Sequence, residues 1–181
     1  SLETARLNRL GKSEWSLSNE IIQPALLTIS AYVLLLAFFG PVMIPFLAIV
    51  AGYGYWTLTC ANYIEHYGLT RKHLGNGKYE TVGAHHSWNA AHMASNWLLI
   101  NLQRHSDHHI KPNRRFPLLQ NHDETSAPQL PYGYHIMTIF AMIPSLWRRS
   151  MNPRVQQWRK MYYPEITNWT PYNKALNPVP R

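Results

Sequence analysis

Cysteine is almost missing: Cys60 is the one thiol in 181 residues. That excludes an internal disulfide, a cysteine-based zinc ribbon and a four-cysteine iron–sulfur or rubredoxin-type site. Charge is scarce as well, at 14% of residues where soluble domains usually carry about 25%. The shortage is local, because residues 21–64 contain no Lys, Arg, Asp or Glu at all. No histidine precedes Glu20. No Arg-rich opening followed by an apolar stretch and a small-residue cleavage site is present, so a secretory signal peptide is not expected. No internal repeat and no nucleic-acid-binding motif is visible. Against these absences stand 46% hydrophobic residues, ten histidines and a net charge of +8.

The charge-free run is too long for one crossing of a bilayer, which takes about 20 helical residues. It must fold back, and Gly40-Pro41 with Pro45 marks the break, since proline removes a donor and clashes with the preceding turn. The expected crossings are Ile21–Phe39, capped by Ser18 or Asn19, and Pro45–Tyr63. The alternative, a buried hairpin in a soluble protein, fits two adjacent uncharged runs of this length poorly. Arg6, Arg9 and Lys12 precede the hairpin, fourteen further Lys or Arg follow it, and the 40–45 connector has none. Positive-inside bias therefore puts both ends in the cytoplasm. Lipid headgroups account for the basic excess more simply than nucleic acid does.

The expected architecture is all-α and integral to the membrane: a transmembrane helical hairpin followed by a cytoplasmic helical lobe that carries histidine metal ligands. Its expected divisions are an N-terminal segment (1–20), the hairpin (21–66), the lobe (67–163) and a proline-rich tail (164–181). Within the lobe, Asn76-Gly77 marks a turn in a loop over 70–84. Ser87 to about His109 reads as one helix that Ser87 could cap. Residues 111–133 read as loop. Tyr134–Trp147, broken by Pro144 and followed by Arg148 and Arg149, suits a helix lying in the membrane interface.

The sharpest feature is Leu102–His109, LQRHSDHH. On a helix, positions i, i+3 and i+4 share a face, so His105, His108 and His109 converge. Three imidazoles so placed are costly to charge together and well suited to hold a divalent metal while neutral. A helix end rich in histidine by coincidence is the bland alternative. The second feature is Asn62–Leu69, NYIEHYGL, where the charge-free run ends in Glu65 and His66. An ionisable residue there can merely snorkel to water. As a ligand, His66 would be oriented by Asn62 and Glu65.

The other histidines carry less. On a straight helix His92 points away from the triplet, towards a hydrogen-bonding role. His85 and His86 are adjacent, and neighbours share a metal only if the backbone bends. His73 and His122 are expected in solvent and His135 in an apolar core. Asp107 faces away from the triplet and can pair with Lys111 at i+4, or hydrogen-bond a histidine from another element. Nitrogen ligands alone allow zinc, copper, iron or nickel. A site at the mouth of a membrane helix pair favours redox chemistry on an apolar molecule over hydrolysis.

NYIEHYGL and LQRHSDHH, with HHSWN (residues 85–89) between them, resemble the signature motifs of the membrane-bound alkane 1-monooxygenases. The likeness runs from about Ser13 to Trp158, and NYIEHYGL separates this group from the related fatty acid desaturases. The resemblance implies a non-haem diiron enzyme of the bacterial inner membrane, with its site facing the cytoplasm. It would hydroxylate the terminal methyl of medium-chain alkanes with O2. His66, His105, His108 and His109 would be iron ligands, with Asn62, Glu65, Asp107 and His92 as candidate supporting residues. Electrons would come from rubredoxin, itself reduced by rubredoxin reductase with NAD(P)H. Arg114, Arg115, Arg148 and Arg149 would attract an acidic donor.

The family's two earlier histidine boxes do not occur here. The chain thus resembles the C-terminal part of such an enzyme and supplies about half the ligands of a two-iron site. The rest is expected from N-terminal histidine-box helices on another segment or chain. The competing readings are an aryl-methyl (xylene-type) monooxygenase, a fatty acid desaturase or hydroxylase, and a non-catalytic membrane metal-binding subunit.

Overall fold

The computed structural model describes residues 2–172 and is mostly helical. The chain divides into two compact units between Trp56 and Thr57. Residues 173–181, the end of the expected tail, lie outside the described residues.

The first unit opens with α1 (Leu2–Arg9), a short helix that the sequence did not announce. Arg6 pairs with Glu3 and donates to the Ser18 carbonyl at 2.8 Å. The apolar helix α2 (Ile22–Phe39) follows. Asn19 Oδ1 accepts from the backbone N–H groups of Ile21 (2.8 Å) and Ile22 (3.3 Å), satisfying donors that a helix start leaves unpaired. Gly40 ends α2 at φ +75, donating its N–H to the Leu36 carbonyl. Helix α3 (Met43–His66) starts before Pro45 and runs past Tyr63, so Glu65 and His66 lie on its last turn. Both α2 and α3 are long and apolar enough to cross a membrane, and their apolar windows are unburied.

In the second unit, strands β1 (His73–Gly75) and β2 (Lys78–Tyr79) form a hairpin. Asn76 and Gly77 turn it, both at positive φ, as a two-residue loop requires. A 3₁₀ turn at Ala84–His86 follows. The single helix expected over 87–109 is in fact two short ones, α4 (Met93–Leu98) and α5 (His105–Ile110). Ile100 (φ 52) and Asn101 (φ 63) separate them, and left-handed backbone cannot continue a right-handed helix. Ser87 is extended and caps neither helix.

Helix α6 (Tyr134–Met142) is followed by α7 (Pro144–Tyr162), where Pro144 occupies the first turn and needs no donor. The apolar stripe of α7, Trp147, Met151, Val155 and Trp158, recurs every three or four residues and is fully buried. It packs with Ile64, Tyr67, Trp88, Ala90, Leu130, Tyr134 and Met137 into the core that carries the site.

Candidate metal centre

His66 reaches the site because α3 stops immediately after it. Gly68 sits at φ +70, and a Cβ there would lie 2.6 Å from Val155 Cγ2. The glycine thus serves both the backbone turn and the approach of α7. The N–H of Trp88 donates to the Glu65 carbonyl at 2.8 Å and satisfies part of the helix end.

The other histidines come from α5, whose start is held from outside. Asn89 Oδ1 accepts the Ser106 N–H at 2.9 Å, and its Nδ2 donates to Ser106 Oγ and to the Ser87 carbonyl. Ser106 Oγ donates to the Ala84 carbonyl. Ser87, Asn89 and Ser106 are all buried. Residues 84–89 therefore act as a distant cap for the histidine-bearing helix. Just upstream, buried Gln103 accepts the Tyr134 N–H at 2.9 Å and donates to Ser95 Oγ at 2.9 Å.

So held, His105 Nε2 lies 3.3 Å and His109 Nε2 3.4 Å from His66 Nε2. Donor atoms of the three rings form one potential metal group. Bonds of about 2.0–2.1 Å to one ion leave neighbouring imidazole nitrogens roughly 3 Å apart, so the spacing fits a shared metal. Burial pushes the His105 ring down to about 3, and the nearby His109, His66 and His108 rings add to the fall. Burial, then His66 and His108, takes His109 to about 4. Both rings are neutral at pH 7, the form that binds a metal. His105 Nδ1 and His108 Nδ1 are buried without a hydrogen-bond partner. Ligating histidines normally place that second nitrogen on a partner.

His108 lies beside this trio rather than in it. Its ring centroid is 5.7 Å from His105 and 6.0 Å from His109, and it stacks on Phe116. Glu65 is buried with Oε2 3.3 Å from His105 Nε2, while Tyr134 donates its O–H to Glu65 Oε1 at 2.9 Å. Asp107 pairs with Arg114 at 2.6 Å rather than with Lys111, accepts the Gln120 N–H at 2.9 Å and lies 3.5 Å from His122 Nε2. Against burial, which raises its pKa, these partners hold its carboxyl below the ordinary value.

Other expectations change. Asn62 is exposed and hydrogen-bonds none of the histidines. His92 is exposed at the start of α4 and acts through its carbonyl, which accepts the Asn96 N–H at 2.9 Å. His135 is exposed rather than in the core, and His122 faces Asp107 rather than solvent alone. The 3₁₀ turn bends His85 and His86 so that both Nε2 atoms meet the Tyr163 hydroxyl, at 3.0 and 2.8 Å. With Glu80 they make a second group of clustered donors. Asn89 and Gln103 fall inside HHSWN and LQRHSDHH, but their spacing assigns them no role, and nothing in the sequence pointed to Tyr134 or Tyr163.

The fatty acid desaturase family model matches residues 3–141. The chain is 53% identical over 157 residues, 87% of its length, to an alkane 1-monooxygenase 1 of Alcanivorax borkumensis. It is 51% identical over the same share to an alkane 1-monooxygenase of Pseudomonas putida. At 29% identity over 89% of the chain it also matches a xylene/toluene monooxygenase hydroxylase component of Pseudomonas putida. It spans 38%, 39% and 42% of the length of these three relatives.

Proposed function

This chain belongs to the fatty acid desaturase family, and from that premise we propose that it forms part of an alkane 1-monooxygenase. The reaction is hydroxylation of the terminal methyl of a medium-chain alkane to a 1-alkanol with O2. The observation that carries this reading is the meeting of the His66, His105 and His109 Nε2 atoms within 3.3–3.4 Å along His66. The relatives' names direct the chemistry towards alkanes, at 53% and 51% identity.

The metal proposed is non-haem iron, two ions per active enzyme, since imidazole suits iron and the reaction consumes O2. Iron supplies the oxidising power that an unactivated C–H bond demands; the chain supplies ligands, orientation and shielding. His66, His105 and His109 would hold one ion, and His108 would turn to the second. Further ligands would come from polypeptide beyond this sequence, on the same or another chain. Glu65, fixed by the Tyr134 hydroxyl, orients His105. Asp107 ties α5 through Arg114 and Gln120 to the 111–133 loop, and so resists rotation of the ligand helix.

In this proposal α2 and α3 cross the inner membrane of a bacterial cell and the site faces the cytoplasm, in line with the basic flanks and uncharged 40–45 connector. Rubredoxin, reduced by rubredoxin reductase with NAD(P)H, is the electron donor. Arg115, Arg148 and Arg149 are exposed and available to attract an acidic protein, whereas Arg114 is committed to Asp107. Neutralising the three should slow reduction and flatten its salt dependence; unchanged kinetics would remove this docking surface.

The test is product analysis with the complete enzyme in membranes. Octane yielding 1-octanol, with loss of both product and bound iron in His105→Ala, supports the proposal. The 29% similarity to the xylene/toluene component favours one second reading, aryl-methyl hydroxylation. Conversion of a methylarene with octane untouched would establish that instead.

A further inference from the structure

Glu80, His85, His86 and Tyr163 cluster outside the site just described. Donor atoms of Glu80, His85 and His86 all lie within 4.8 Å of one another, which suggests a second metal. Protonation of His86 argues otherwise. Its Nδ1 accepts the Gly83 N–H at 2.7 Å, so the neutral ring carries its proton on Nε2. That Nε2–H faces the Tyr163 oxygen at 2.8 Å and Glu80 Oε1 at 3.1 Å. A ligating histidine does the reverse, donating from its second nitrogen. The cluster is a hydrogen-bond network, and the Tyr163 hydroxyl is its hub. That hydroxyl accepts from His86 and donates to the Glu80 carboxylate.

Residues in contact with this hub line two clefts. His86 lines a cleft of ≈ 510 Å³ together with His66 and His109. Trp158 packs edge-on against Tyr163 with ring centroids 5.1 Å apart, and Tyr162 lies 6.1 Å from Trp158. Trp158 and Tyr162 line a wider cleft of ≈ 860 Å³. The neighbouring Trp169 is also near Tyr163, at 6.0 Å, but Arg159 stands over its ring at 4.4 Å and opposes positive charge there. Trp158 is thus the favoured continuation. Tyr134 also donates to a carboxylate, Glu65, but it is fully buried and has no aromatic ring partner among the described residues. It has no exit.

We propose that Tyr163 and Trp158 form a redox relay that discharges the histidine centre when its oxidant meets no substrate. The proposal rests on the alkane-hydroxylating function, because an oxidant able to break an unactivated C–H bond can also oxidise a phenol. Weaker couples, such as the donor that reduces the centre, leave the phenol untouched. In the first step Tyr163 gives one electron to the oxidised centre. Its O–H bond breaks and the proton passes to Glu80 along the existing hydrogen bond, leaving a neutral phenoxyl radical. Trp158 then returns an electron to the phenoxyl, which recovers its proton from Glu80. The buried indole radical is filled through the cleft wall, where Tyr162 lies against it, by a small one-electron reductant such as ascorbate. The net change per pass is one electron moved from ascorbate to the centre, so two passes discharge a two-electron oxidant.

The experiment uses the complete iron-loaded enzyme, reduced, mixed with O2 without alkane, and frozen for electron paramagnetic resonance. Ring-deuterated tyrosine identifies the radical. The expected result is a tyrosyl signal in the wild type that is lost in Tyr163→Phe and outlives the wild-type signal in Trp158→Phe. Peptide mapping should find oxygen added to Trp158 after prolonged reaction without substrate. A signal unchanged in Tyr163→Phe overturns the proposal, as does no signal in wild-type enzyme that converts octane to 1-octanol. If Tyr163→Phe does not accumulate, Trp158→Phe decides, and unchanged decay there overturns the relay. Enzyme that oxidises no alkane refutes the proposed function itself, and the relay with it.

Discussion

Replacing Asn89 by alanine tests whether the distant cap controls the metal centre. The carboxamide is buried and makes three contacts: it accepts the Ser106 N–H and donates to Ser106 Oγ and the Ser87 carbonyl. Ser106 N–H belongs to the first turn of α5, where no carbonyl of the same helix can reach it. Truncation leaves that donor buried without an acceptor, at a cost of about 1–3 kcal/mol. Loss of the cap in peptides and proteins typically costs about 1 kcal/mol, which lies within the same range. The natural relief is for α5 to tilt until water reaches Ser106. That motion carries His105 and His109 away from His66. The assay therefore has two arms on the complete enzyme: thermal unfolding, and titration with cobalt(II). Asn89→Ala should lose stability and bind cobalt(II) more weakly, while Asn89→Asp, which retains an acceptor for Ser106 N–H, should recover part of both. A variant destabilised by the expected amount but with unaltered cobalt affinity would refute the link between cap and centre.

Gly68→Ala should destabilise by about 2–4 kcal/mol, from a positive-φ penalty and overpacking against Val155; Val155→Ala should relieve the clash and rescue only part, measured by melting of the double variant. Tyr134→Phe removes the donor to buried Glu65 and should cost about 1–3 kcal/mol, with weaker cobalt binding than the wild type in the same titration. Against burial, which raises its pKa, the Lys72 N–H, the Tyr163 hydroxyl and His86 hold the Glu80 carboxyl below its ordinary value. Its contribution to stability is therefore complete above the ordinary carboxylate range and lost as pH falls through the lowered value. Glu80→Gln should flatten the acid limb of the melting-temperature profile, and an unaltered limb would refute this assignment.

The two apolar helices α2 and α3 are legible as uncharged runs of about 20 residues broken by Gly-Pro. Even so, α3 extends through His66, since hydropathy stops registering a helix where polar residues begin. The break between α4 and α5 was hidden because Ile100 and Asn101 adopt positive φ without a glycine to announce it. Helix α7 is hard to see in the sequence because Arg, Asn and Gln interrupt its apolar stripe and Pro153 lies inside the helix. The histidine spacing of α5 predicted a common face for His105, His108 and His109. The structure turns His105 and His109 to His66 and leaves His108 on Phe116. Contacts made across long sequence separations, such as Asn89 to Ser106 or Tyr163 to His86, leave no periodic trace at all.

The brevity of α5 has its own consequence. Six residues are far fewer than the roughly 12–15 at which an isolated helix becomes even marginal in water. A synthetic peptide copying 102–109 would be a floppy chelator, sampling many arrangements and selecting poorly among metals. The coordination pattern is thus a property of the tertiary scaffold, and grafting the motif onto a foreign protein would require transplanting residues 84–89 as well.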